Sequence, residues 1–146
     1  MIRLLDSRTS QNASFAASIG EPFPAILTPQ LFGQVGLDIV NPTGIIRVEF
    51  FATVTISQPI NSPHIGIFVI IVRGTTTNDL VIYSALETFL PSGTNEEVRP
   101  ITITGSDFDV PAPANNQLIY SAFVSTANPG PLRVGPESFN VTAYSG

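Results

Sequence analysis

Few residues of this chain are equipped for chemistry. Its one imidazole, His64, follows Pro63 at the mouth of an apolar run. As the only histidine it would have to serve as the base of any serine triad or as the sole His ligand of any metal. No G-x-S-x-G elbow accompanies it, so an exposed or capped loop histidine is the expectation. Asp107 and Asp109, in Gly105-Ser106-Asp107-Phe108-Asp109, stand at i, i+2. On a strand they would share a face, and in a loop both could reach a calcium ion. Such an ion needs roughly six to eight oxygens. No resident metal is therefore expected, with Asp107 and Asp109 as the only candidates. Glu96-Glu97 reads as a surface charge pair without an acid/base role. Asn12-Ala13-Ser14 and Asn140-Val141-Thr142 have the glycosylation pattern, the second inside a strand pattern where a glycan fits poorly.

The missing residues exclude more than the present ones suggest. The chain has no Cys, no Trp and no Lys, all six basic residues being Arg. Thiolate nucleophiles, disulfides, cysteine zinc sites and lysine Schiff bases are ruled out. There is no phosphate loop or dinucleotide fingerprint, and nothing among the eleven acidic residues selects a facing pair for glycoside hydrolysis. The expectation is a protein that is not an enzyme, with no catalytic residues and no cofactor. A net charge of −5 and a pI near 4.5 speak against nucleic acid as a partner. Charged residues make up 12 % of the chain, against roughly 25 % in an average soluble domain, while 43 % are hydrophobic. Surface polarity then falls to the 14 Thr, 13 Ser, 9 Asn and 5 Gln. No stretch approaches the ~18 apolar residues of a membrane span, and residues 1–20 contain no apolar core of a signal peptide.

The elements that must position these residues are legible in the punctuation. Gly and Pro number 24 of 146 and break the chain every ten to fifteen residues, at 20–24, 41–44, 58–63, 91–93, 111–113 and 128–131. Between them lie runs of Ile, Val, Phe, Thr and Tyr, residues that suit a pleated, half-buried surface. Over 45–57, Ile46, Val48, Phe50, Ala52, Val54 and Ile56 alternate with Arg47, Glu49, Phe51, Thr53, Thr55 and Ser57, a period of two. Over 64–73, Ile65, Ile67, Val69 and Ile71 occupy one face and Phe68, Ile70 and Val72 the other, so both faces of that strand call for burial. Further strands are expected at 35–40, 80–86, 98–104, 117–126 and 137–145. The fold class is all-β: one domain over 1–146, an antiparallel β-sandwich of the jelly-roll kind with about eight to ten strands, and 1–30 a less regular N-terminal segment.

Four places give a family resemblance across roughly residues 31–146. Val40-Asn41-Pro42-Thr43-Gly44-Ile45 before a long alternating strand resembles the Pro-x-Gly-aromatic approach to the central strand in the tumour necrosis factor and complement globular-head superfamily, with Ile45 where an aromatic is usual. Residues 64–73 match its two-sided apolar strand. Leu118-Ile119-Tyr120 resembles its interior strand with a Tyr near the threefold axis, and Glu137-Ser138-Phe139-Asn140-Val141 its closing strand. The nearest likeness is to the C-terminal domains of bacterial collagen-like glycoproteins of the spore exosporium, although no Gly-x-y tract precedes the domain. The resemblance implies a compact homotrimer without catalysis, with Tyr120, Leu118, Ile67 and Phe139 at the subunit contact.

The leading expectation is a structural, self-assembling surface domain, a homotrimeric head of a spore-surface or appendage protein, extracellular or on the spore surface. Its partner would be itself, with other surface-layer proteins or glycans as further partners. A carbohydrate- or receptor-binding module on the same fold, using loops such as 105–117 or 74–79, is the alternative. A viral capsid or fibre jelly roll is a further one.

Overall fold

The alternation over 45–57 becomes the central strand of the molecule. The computed structural model describes residues 1–146 and is built of strands, turns and loops without a helix. The strands are β1 (Arg3–Ala13), β2 (Glu21–Pro22), β3 (Gln30–Asp38), β4 (Ile46–Gln58), β5 (Ile65–Arg73), β6 (Leu80–Phe89), β7 (Glu97–Phe108), β8 (Gln117–Thr126), β9 (Leu132–Arg133) and β10 (Glu137–Ser145). β4 pairs with β10 and then β9 along one edge and with β7 along the other, and β1 extends the sheet beyond β10. A second sheet runs β3-β8-β5-β6. Among the eight long strands only β5 and β6 form a hairpin between sequence neighbours, and the other connections cross from sheet to sheet. This is an antiparallel jelly-roll sandwich.

The inner faces follow the period of two. Ile46, Val48, Phe50, Ala52, Val54 and Ile56 of β4 face Ile65, Ile67, Val69 and Ile71 of β5 and Val35 and Leu37 of β3, within one core cluster of 25 buried residues. The outward set on β4, from Arg47 to Thr53, is polar apart from Phe51 and is solvated. β5 differs: Phe68 and Ile70 point outward and are only half covered. The expectation that both faces of this strand are buried holds for Val72, which has no exposed surface, and is corrected for Phe68 and Ile70. A sandwich covers one side of each sheet, and nothing in the chain fully covers the other.

The N-terminal expectation is also corrected. Residues 3–13 form an eleven-residue strand, paired with β10 from Arg3↔Ser145 to Ala13↔Glu137. Its apolar signal was absent for two physical reasons. β1 is an edge strand held by main-chain bonds with most side chains in water, and irregularities between Leu4 and Asp6 and between Ser10 and Ala13 break its period. β6 runs three residues past its expected end, and β3 and β7 extend across a glycine, β3 beginning five residues early and ending at Asp38 and β7 running on to Phe108. A Cβ on Gly33 of β3 would lie 2.5 Å from the Phe139 Cβ, and one on Gly105 of β7 would lie 2.7 Å from the Phe50 ring. Gly33 marks close approach of the two sheets, and Gly105 leaves room both for the Phe50 ring of its own neighbouring strand and for Tyr83 of the other sheet, 2.9 Å from such a Cβ.

Replacing Phe50 by Ala empties the middle of the core and is expected to cost about 3–5 kcal/mol. Gly33→Ala should cost about 1–3 kcal/mol through overpacking against Phe139. Urea midpoints of the two variants check both values. An unchanged midpoint in either would contradict the packing described here.

Candidate functional surface

The four residues expected at a subunit contact lie inside the chain instead. Ile67, Tyr120 and Phe139 have no exposed surface and Leu118 has 6 %, all in the core cluster. β8 runs between β3 and β5, so its inward side chains meet the opposite sheet and cannot meet another subunit. Tyr120 instead joins an ion pair that ties the sheets together at one end. Its hydroxyl donates to Asp107 Oδ2 at 2.8 Å, and Arg73 donates to both carboxylate oxygens, Nε to Oδ2 and Nη2 to Oδ1, each at 2.8 Å. Tyr120 and Arg73 belong to the smaller sheet and Asp107 to the larger. Burial, joined by the Asp107 charge, pushes the Tyr120 phenol far above its ordinary range. Burial opposes the Arg73 charge, but its bonds to Asp107 outweigh that and raise its pKa.

The candidate metal pair is thereby divided. Asp107 is buried with both oxygens engaged, while Asp109 is exposed just past the end of β7 with φ of 56°. They do not converge, and no group of three acidic or imidazole ligands occurs elsewhere. His64 is exposed in the turn before β5. Glu96 and Glu97 are both exposed, and Glu96 accepts a hydrogen bond from Ser57 Oγ.

A second ion pair closes the opposite end. Arg133 donates to Glu137 through Nε (2.7 Å) and Nη2 (2.6 Å), and the Asn12 side-chain amide donates to Glu137 Oε1 at 2.8 Å. The Arg133 Nη1 reaches Gln30 Oε1 at 3.2 Å. Sequence reasoning missed this set, and its signal was an Arg and a Glu four apart across Gly135-Pro136. Of the two glycosylation patterns, Asn12 is thus tied to Glu137, and Asn140 accepts from Thr9 on the outer face of β10.

The loops proposed for ligand binding spend their polar groups internally. In 74–79 the Asp79 carboxylate accepts from the Thr76 and Thr75 N–H groups (2.8 and 2.9 Å), which hold its pKa below the usual carboxylate range. In 105–117 the first four residues are strand, and Asn115 caps the Gln117 N–H. The depressions in the surface lie elsewhere. A cleft of about 400 Å³ separates β1 from β3, and two shallower hollows of about 280 and 210 Å³ flank Glu49 on the outer face of the larger sheet.

The two outer faces contrast in chemistry. On the larger sheet, rows such as Thr9–Asn140–Phe51–Thr104 and Ser7–Thr142–Glu49–Ser106 present short polar side chains around one ring. On the smaller sheet, Leu31–Phe123–Ile70–Ser84 and Ser125–Phe68–Leu86 lie side by side. That band contains no ionisable group. Leu86 is 57 % exposed and Leu31 46 %, whereas Phe123 between them is buried and Phe68 and Ile70 are half-buried.

No protein-family model matches the chain, and no curated protein matches it. Among solved structures, similarity is found to that of infectious bursal disease virus Gx strain, with 10 % identity, TM-score 0.36, and coverage of 99 % of this chain and 37 % of that one. An electron cryo-microscopy structure of a cowpea mosaic virus empty virus-like particle has 8 % identity and TM-score 0.29, covering 90 % and 82 %. The enzymatically active domain of bacteriophage CBA120 tailspike protein 4 has 8 % identity and TM-score 0.24, covering 99 % and 19 %. The chain thus spans little more than a third of the first of these and about four-fifths of the second.

Asp107→Ala should cost about 3 kcal/mol, because Arg73 and the Tyr120 hydroxyl lose their common partner. Tyr120→Phe should cost about 2 kcal/mol, one hydrogen bond to a charged group. The raised phenol pKa makes its stabilisation complete below the ordinary value near 10 and lost as pH climbs beyond it. In an alkaline absorbance titration one of the three tyrosines should ionise only as the chain unfolds. Three phenolates appearing before unfolding would contradict the buried clamp.

Proposed function

We propose that this chain is a non-enzymatic structural domain that assembles with copies of itself, a homotrimeric head of a spore-surface, appendage or comparable particle outside the cell. The observation that carries this reading is the uncharged outer face of the smaller sheet, where Leu31 and Leu86 are exposed on the two edge strands, Phe68 and Ile70 are half-buried and Phe123 is buried between them. Covering the apolar area that Leu31, Leu86 and the half-buried Phe68 and Ile70 still expose releases roughly 25 cal/mol per Å². A second copy suits it. The band offers no charge to a charged partner, so gathering the bands of the copies about one axis leaves no carboxylate or guanidinium stranded. Three copies follow from the resemblance to globular-head domains, now with the smaller sheet's outer face at the contact in place of Tyr120.

A second reading, glycan recognition, draws on the larger sheet, where Phe51 and Tyr144 flank Arg47 and Glu49 beside the two hollows. Selective binding on a glycan array would favour it, and uniform absence of binding would favour a purely structural role.

Light scattering at micromolar concentration should give three times 15.6 kDa. Leu86→Asp, which sets a carboxylate in the contact, should give a single copy with an unchanged β-type circular dichroism spectrum. A parent protein that is monomeric under these conditions would overturn the reading.

A further inference from the structure

The free edge of β7 carries an argument independent of the apolar band. A sheet edge presents unpaired N–H and C=O groups, and soluble proteins normally interrupt such edges. Three of the long edge strands here are interrupted. The pairings of β1, β3 and β6 with their neighbours each contain a register shift. β7 pairs with β4 over twelve residues, from Glu97↔Gln58 to Phe108↔Arg47, without one.

Which groups face outward follows from the main-chain bonds of β4. The Thr55 carbonyl accepts from Val134 N–H (3.1 Å) and the Ile45 carbonyl from Gly146 N–H (3.1 Å), so odd residues of β4 bond away from β7. The Ile46 carbonyl accepts from Val110 N–H (3.0 Å), so even residues bond towards it. In the register of this pair, even residues of β4 stand opposite odd residues of β7. The N–H and C=O groups of Thr102, Thr104, Ser106 and Phe108 therefore point into solvent. Pro100, which has no N–H, takes an outward position where no donor is missed.

We propose that β7 pairs antiparallel with β7 of a second copy about a two-fold axis at Thr104, joining the two larger sheets edge to edge. This goes beyond the proposed self-assembly by adding a second, different contact. The register follows from side chains. With Thr104 opposite Thr104, Thr102 meets Ser106 and the exposed Phe108 meets the exposed Pro100, twice over by symmetry. Arg99, which in its own chain lies over the Phe89 ring with Glu87 at 3.9 Å, comes opposite Asp109 of the other copy, so this register sets no like charges against each other. A register moved to centre on Ile103 would set Glu97 against Asp109, like against like, and is disfavoured. Nothing from Ile101 to Ser106 is charged or a proline, so the centre of the edge has no residue that repels a partner strand. A threefold contact on one face and a two-fold contact at this edge would link trimers into a layer or a closed shell.

The chain has no cysteine, which makes one engineered thiol unambiguous. Directly opposed residues of a hydrogen-bonded pair lie about 5.5 Å apart at Cα, within disulfide reach. Thr104→Cys treated with diamide should therefore form covalent two-copy species at least tenfold faster than Asn78→Cys, an exposed loop control. Thr104→Pro, which removes an outward N–H that the fold does not use, should abolish the larger species that the parent forms at high concentration while keeping its circular dichroism. Thr104→Lys should do the same. The face contact is tested separately, because Thr104→Cys combined with Leu86→Asp should still cross-link although it no longer forms trimers. Cross-linking at the rate of the loop control, in either background, would overturn the edge contact and leave the trimer reading standing.

Discussion

Side chains on a strand alternate between two faces, and a two-layer sandwich can bury only one face of each sheet. That constraint shapes the whole molecule. On β4 it is met without conflict, because the inward set is apolar and most of the outward set is polar. On β5 both sets are apolar, so filling the core with Ile65, Ile67, Val69 and Ile71 necessarily turns Phe68 and Ile70 outward. Their neighbours across the sheet, Leu86, Phe123 and Leu31, add to the surplus. Phe123 is already buried by the chain itself, so what remains of this outward apolar set is the exposed Leu31 and Leu86 with the half-buried Phe68 and Ile70.

The scarce charges are concentrated where the sandwich would otherwise be open. Arg73 and Asp107, with the Tyr120 hydroxyl, pin the sheets at one end, and Arg133 and Glu137, with Asn12 and Gln30, do so at the other. Two of the six arginines are spent in this way, in sites where a lost partner leaves a desolvated charge. Arginine suits both, because its planar fork meets a carboxylate with two parallel hydrogen bonds. The outer face of the larger sheet then carries mainly Thr, Ser and Asn with Arg47 and Glu49 among them, and that of the smaller sheet mainly apolar side chains.

Much of the fold was legible in the sequence because turns and period-two runs are local signals. β8 and β10 match their expected bounds, and β4 and β5 match within one residue at either end. What failed was non-local. β1 depends on main-chain pairing with a strand more than a hundred residues away, and its exposed side chains leave no apolar trace. β3 and β7 were expected shorter at their glycine-containing ends, and the side chains packed over Gly33 and Gly105, Phe139, Phe50 and Tyr83, are distant in sequence. For the surface, the two-sided pattern of β5 was visible, but which set turns outward was not. Tyr120 was taken for a contact residue because an apolar run with a tyrosine reads alike in a core and at an interface. Only the partner Asp107, thirteen residues away on the other sheet, separates the two.

The central claim is that the outer face of the smaller sheet is covered by another copy of the chain. The protein contains no tryptophan, so Leu86→Trp places a single reporter on that face. Its fluorescence should be blue-shifted at micromolar concentration and move to the wavelength of a solvated indole on dilution, as the copies separate. A solvated emission at every concentration, with the fold intact, would contradict the account.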